Sequence, residues 1–175
     1  MPFDPIHIII FLSTGLGFYA FQARERKQML TFKLIADALF ATYLFLLGGY
    51  TGAMGALIAT LGGAIQVATP PHLMGKTLPY RLGSACLLSV AGVYFLSQSV
   101  TDVYPFIGVV LSRFVELFKS TIILRIGFFC AAIPWLTYNF VNEFYLAVGG
   151  GILMMVAMTL GILRNERRLP RDPVP

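Results

Sequence analysis

Charge is scarce in this chain: only 12% of its 175 residues are Asp, Glu, Lys or Arg, about half of what a soluble domain needs to cover its surface. Hydrophobic residues make up 57%, gathered in blocks near the length that spans a bilayer. A water-soluble globular fold is excluded, because so small a chain has too little interior to hide them. Cysteine and histidine are rarer still. Cys86 and Cys130 lie in apolar stretches with no CxxC or Cys/His cluster, which excludes a disulfide framework and leaves them expected as small buried hydrophobes. His7 and His72 are far apart in sequence and near opposite faces, so no His-based metal site and no cofactor are expected. GxxxxGK[ST], GxSxG and HExxH are all missing, so no phosphate loop, hydrolase elbow or zinc protease helix is implied, and no enzyme is expected. The opening Met1-Pro2-Phe3-Asp4 has no positive n-region and no small-residue cleavage site follows it. The first apolar block is therefore expected to stay as a helix rather than leave as a signal peptide.

What the chain does have is seven apolar segments. They run over 6–22, 31–48, 51–69, 80–97, 103–117, 121–140 and 144–163, interrupted by charge or turn formers such as Arg24-Glu25-Arg26-Lys27, Gly48-Gly49, Pro70-Pro71 and Asn142-Glu143. The fifth is short and carries Arg113 and Glu116. The fold class expected is an all-α integral membrane protein with seven transmembrane helices, forming one membrane domain over 1–175. Cytoplasmic loops retain Lys and Arg. Arg24, Arg26, Lys27 and Lys33, then Lys76 and Arg81, then Arg113, Lys119 and Arg125, then Arg164, Arg167, Arg168 and Arg171 all fall on one side, opposite Asp4, Asp102 and Glu143. The N-terminus is expected outside and the C-terminus inside, with 164–175 as a basic cytoplasmic tail. The net charge of +5 is thus a topology signal, and no nucleic-acid partner is needed to explain it.

The chain also matches itself. Setting Tyr43 on Tyr138 gives an offset of 95, which is 138 less 43, and the same shift pairs Leu16 with Leu111, Ala36 with Ala131, Phe45 with Phe140, Tyr50 with Tyr145 and Gly55 with Gly150. Two parallel triple-helix repeats, 6–69 and 103–163, joined by an inverting linker helix at 80–97, are expected as a 3+1+3 arrangement.

Leu16-Gly17-Phe18-Tyr19-Ala20-Phe21-Gln22 with its basic run, Leu46-Leu47-Gly48-Gly49-Tyr50, Pro105-Phe106-Ile107-Gly108 and Trp135-Leu136-Thr137-Tyr138-Asn139-Phe140 resemble the YgjV family of bacterial inner-membrane proteins across nearly the whole chain. That resemblance implies a multi-pass protein of the bacterial inner (plasma) membrane. The family is in turn distantly similar to the PQ-loop and SWEET transporter group, which implies a small-solute transporter of unnamed substrate. Two departures matter. Phe21-Gln22 stands where that group places Pro-Gln, and neither 51–69 nor 144–163 contains the asparagine that its sugar sites use, which puts sugar specificity in doubt.

Few polar groups lie at depth, and each has two readings. Asp37 is an intramembrane carboxylate, a functional candidate by its cost there, or the i, i+4 partner of Lys33. Arg113 and Glu116, at i, i+3, with Lys119 three further on, form a self-neutralising stripe, unless the guanidinium of Arg113 also holds an anionic ligand. Trp135, Tyr138 and Asn139 follow Pro134 toward the outer face. They belong either to an interfacial aromatic belt or, for Trp135 and Asn139 on one helix face, to a cavity wall. The candidate cavity or substrate residues are therefore Asp37, Arg113, Glu116, Trp135, Tyr138 and Asn139. The expected partners are the lipid bilayer and a small solute, with a homo-oligomer left open. The alternative function is a non-transporting membrane scaffold or accessory protein that binds lipid or a partner helix, and a polar cavity between the repeats, rather than solid packing, separates the two.

Overall fold

A computed structural model describes residues 5–70, 73–118 and 120–166. Asp4, His72, Lys119, Arg167, Arg168 and Arg171 lie outside the described residues, so the expected Glu116–Lys119 contact and most of the basic tail do too. Among the described residues the chain forms α1 (Pro5–Gln22), α2 (Arg26–Leu46), α3 (Tyr50–Ala68), α4 (Met74–Leu96), a 3-10 turn (Val100–Val103), α5 (Tyr104–Val115), α6 (Thr121–Val141) and α7 (Tyr145–Glu166). No strand occurs among them. A helix satisfies its own backbone N–H and C=O groups, which is the condition for an apolar segment to sit in lipid.

Five helices, α1, α2, α3, α6 and α7, are long and apolar enough to cross a membrane. The fifth expected span is a helix of 12 residues, rising about 18 Å against a hydrocarbon core of about 30 Å, with the 3-10 turn ahead of it. It is enclosed by its neighbours, with Pro105, Phe106, Gly108, Val109, Ser112, Arg113 and Val115 all buried. α4 is long but carries Lys76, Pro79 and Arg81 in its first half. Both α2 and α4 begin several residues before the apolar stretches do, at Arg26 and Met74, because long cationic side chains at a helix end reach water without ending the helix.

Packing partners define a ring. α1 packs on α2 and α7, α2 on α3, α3 on α5, α5 on α6, and α6 on α7, while α4 lies outside the ring across α3 and α5. Short connections make consecutive helices antiparallel. Every described Lys and Arg therefore falls toward one end of the bundle, and Asp102 and Glu143 fall at the other. The outward faces are apolar: Leu87, Val90, Tyr94 and Phe95 of α4 and Ile152, Leu153, Val156 and Leu160 of α7 are exposed, as lipid contact requires. Neither cysteine is buried, contrary to expectation. Cys86 is half-buried and Cys130 exposed, since a small apolar side chain is as well accommodated facing lipid as facing a core.

Two helix ends stop the same way. After α2, Gly49 N donates to Leu44 O at 2.9 Å and Gly48 N to Phe45 O at 3.1 Å, and after α6, Phe144 N donates to Asn139 O at 2.9 Å and Glu143 N to Phe140 O at 3.2 Å. This paired arrangement, a six-residue closure around a four-residue one, is the Schellman ending, and it needs a left-handed residue at its apex. Gly48 (φ 80°) and Glu143 (φ 61°) occupy it. Glycine adopts that conformation freely, glutamate at a cost.

Candidate functional site

A cavity of about 120 Å³ lies inside the ring, walled by α1, α2, α3, α5, α6 and α7. Space for it comes from small side chains on facing helices: Gly17, Ala36, Ala56, Ala59, Ala131, Ala147, Gly150 and Gly151 all line it. The lining is mainly apolar, with polar groups at Ser13, Thr14, Lys33, Asp37, Ser112 and Asn139. Three of the candidates from the sequence, Asp37, Trp135 and Asn139, thus meet around one space.

Their surroundings differ. Asp37 is ion-paired with Lys33 one turn away, and the Lys33 ammonium also stands 5.0 Å from the centre of the Phe128 ring, so the pair spans the gap from α2 to α6. Phe40 and Trp135 meet edge to face with ring centres 5.6 Å apart, which ties the same two helices nearer the other end. Asn139 is buried, and its side-chain carbonyl oxygen has no partner among the described residues. A buried polar atom left unpaired costs free energy unless water or a ligand meets it. Ser13 Oγ donates to Ala36 O at 2.8 Å, tethering α1 to α2 along the cavity wall.

The other three candidates lie elsewhere. Arg113 Nη2 donates to Glu116 Oε1 at 2.6 Å in a buried pair, side chains 6% and 1% exposed, outside the central cavity. Tyr138 is turned away from lipid and from the cavity. Its hydroxyl accepts from Gly52 N at 3.1 Å and stands 3.1 Å from Thr51 Oγ1, which donates to Asp102 Oδ1 at 2.8 Å. That chain satisfies an orphan amide at the start of α3 and joins α3, α6 and the 3-10 turn at the end of the bundle opposite the arginines. Asp102 also accepts from the backbone of Gln98 and Ser99.

Sequence reasoning passed over the groups that close the arginine-rich end. Arg125, 1% exposed, donates from Nε to Phe21 O at 2.9 Å and from Nη2 to Ala23 O at 2.7 Å, capping the end of α1. Arg26 donates from Nη2 to Glu116 O at 2.7 Å and from Nε to Phe118 O at 3.4 Å, capping the end of α5, where Gln66 adds a bond to Glu116 O at 3.3 Å. Helix C-termini carry unsatisfied carbonyls and partial negative charge, which guanidinium groups complement. The available signal was Arg125 standing within an apolar run, where a cation must be paired. Apolar side chains fill the same end: Phe21, Met29, Leu30, Val115, Leu124, Phe128 and Met158 form one buried cluster. Among the described residues no three His, Cys, Asp or Glu side chains come together as a metal centre would need.

Compared with known proteins, residues 5–171 match the model of a family described as a bacterial inner membrane protein. No curated protein and no solved structure matches the chain.

Proposed function

The chain belongs to the Imp-YgjV family of bacterial inner membrane proteins, and from that premise we propose that it is a small-solute transporter, not an enzyme, in which two triple-helix units rock about a central cavity. The units are 6–69 and 103–163, with 80–97 as the linker. The observation that carries this reading is the cavity itself. It is walled by helices of both units and holds an ion pair, an unpartnered amide oxygen and two aromatic rings, where a scaffold needs only solid packing.

The repeat is supported by local geometry. The shift of 95 that carries Tyr43 to Tyr138 also carries the bonds after α2 onto those after α6, Ala23 N–Ala20 O onto Phe118 N–Val115 O, and Met29 N–Glu25 O onto Leu124 N–Ser120 O. It carries Gly48 onto Glu143, the two left-handed residues among those described, and the Phe45–Tyr50 ring contact onto Phe140–Tyr145. It carries the capped carbonyls too: Phe21 O and Ala23 O, held by Arg125, become Glu116 O and Phe118 O, held by Arg26. Each unit's second helix thereby caps the first helix of the other unit, though from different positions, since the same shift sets Arg26 on Thr121 and Leu30 on Arg125.

Those crossed caps, with the apolar cluster behind them, serve as the inner gate, and the Asp102–Thr51–Tyr138 chain as the outer one. In this reading the capped end faces the cytoplasm, which the one-sided Lys and Arg distribution supports. Phe40 and Trp135 then stand over a solute from the outer side, while Lys33, Asp37 and Asn139 supply its polar contacts. The cavity is smaller than the roughly 300–1,000 Å³ of ordinary ligand pockets, which suits an occluded state and a solute of few atoms. The resemblance to the PQ-loop and SWEET group read from the sequence agrees with a rocking mechanism and names no substrate.

Uptake by vesicles reconstituted with the protein, across sugars, amino acids and carboxylates, tests this. At least one solute is expected to enter, and Asp37→Asn and Asn139→Ala to slow its uptake at least tenfold while the folded protein persists. If no solute moves or stabilises the protein, the scaffold reading replaces this one.

A further inference from the structure

A second space lies away from the central cavity, toward the arginine-rich end, in the cleft between α3, α4 and the end of α5. It measures about 50 Å³, and Leu61, Gly62, Arg81, Leu88 and Arg113 are among its walls. Arg113 is 6% exposed and spends only Nη2 on Glu116, while its Nε and Nη1 have no partner among the described residues. Glu116 does not line the cleft. The guanidinium rests against α3 where Gly62 has no side chain, since a Cβ there would stand 2.7 Å from Nη1. Arg81, half-buried on α4, reaches the same space, and no hydrogen bond to its guanidinium forms among the described residues. Two guanidinium groups therefore line a space whose walls carry no carboxylate, and they outnumber the one carboxylate near them, that of Glu116, which is bonded to Arg113 and close enough to act on Arg81. In a low-dielectric setting such an excess draws in an anion.

We propose that this cleft binds the phosphate group of an anionic phospholipid. Guanidinium forks match the oxygens of a phosphate, and the space holds about four water-sized groups, enough for phosphate oxygens and too little for an acyl chain. The walls decide the source. Leu61 and Leu88 are 52% and 49% exposed, and Ile65 beside them 50%, so the cleft opens onto the lipid-facing surface and chains attached to the phosphate lie along it. Basic pockets between helices at the cytoplasmic face are suited to such headgroups. The proposal is independent of whether the central cavity transports.

The test uses the full chain in a neutral detergent, following thermal unfolding while short-chain phosphatidylglycerol, short-chain phosphatidylcholine or inorganic phosphate is added. Phosphatidylglycerol is expected to raise the unfolding temperature at concentrations where the other two leave it unchanged. Arg81→Gln breaks no ion pair among the described residues, and it is expected to weaken the phosphatidylglycerol effect about tenfold or more, the worth of a lost charge-assisted hydrogen bond. Gly62→Ala, which displaces the Arg113 guanidinium, is expected to do the same, and Asp37→Asn in the central cavity to leave it intact. Equal stabilisation by phosphatidylcholine, or an undiminished effect in Arg81→Gln, overturns the site. Equal stabilisation by inorganic phosphate keeps the anion site but overturns the lipid as its source.

Discussion

Tyr138 stands in a Trp-Leu-Thr-Tyr run where an interfacial aromatic belt is the ordinary expectation, yet it is 1% exposed and bonded to the start of α3. Removing its hydroxyl leaves the Gly52 amide and Thr51 short of a partner. Tyr138→Phe is therefore expected to lower stability by about 1–3 kcal/mol, measured by unfolding in detergent, whereas an interfacial tyrosine would change it little. The pairs on one helix were legible from spacing alone: Lys33–Asp37 and Arg113–Glu116 fall at i, i+4 and i, i+3 and both form. The destinations of Tyr138 and Arg125 were not, because spacing gives a residue's face on its own helix and not the rotation of that helix against its neighbours. Arg125→Ala strips two carbonyls of the end of α1 of their donors and is expected to cost roughly 3 kcal/mol or more, with Arg125→Lys between it and the parent, since a lysine replaces the fork with a single point of charge.

Among the elements, the loops that follow α2 and α6 are built alike but filled differently. Gly48 has open space around it, so a side chain there meets only the conformational penalty of a positive φ. Gly48→Ala is expected to cost about 1 kcal/mol. Glu143 already bears that penalty, and Glu143→Gly is expected to change stability by less than about 0.5 kcal/mol or to raise it, the relieved strain offsetting the freer unfolded chain. Equal losses in both variants would show that the two loops are not equivalent. Helix existence was readable from apolar length, and helix starts were not. α2 and α4 run back through charged residues that hydrophobicity counts as breaks, and α5 is held by its neighbours rather than by lipid, so its 12 residues fall below any spanning criterion.

For the molecule as a whole, the one-sided placement of Lys and Arg predicts which end faces which compartment. A cysteine introduced beside Glu143, in a background with Cys86 and Cys130 replaced by Ala, is expected to react with a membrane-impermeant thiol reagent on intact spheroplasts, and one beside Arg24 only after lysis; the reverse pattern would invert the orientation. The ring of helices and its cavity were beyond sequence reading, because they depend on which small residues face one another across the bundle. Ala59 on α3 and Ala132 on α6 both line that cavity, and they test its function directly. In the same cysteine-free background, Ala59→Cys and Ala132→Cys are each made and reconstituted, and an impermeant thiol reagent is applied to one side of the membrane at a time. A cavity between rocking units opens to both sides in turn, so each cysteine should be modified from either side. Modification from neither side, or from one side only, would contradict alternating access.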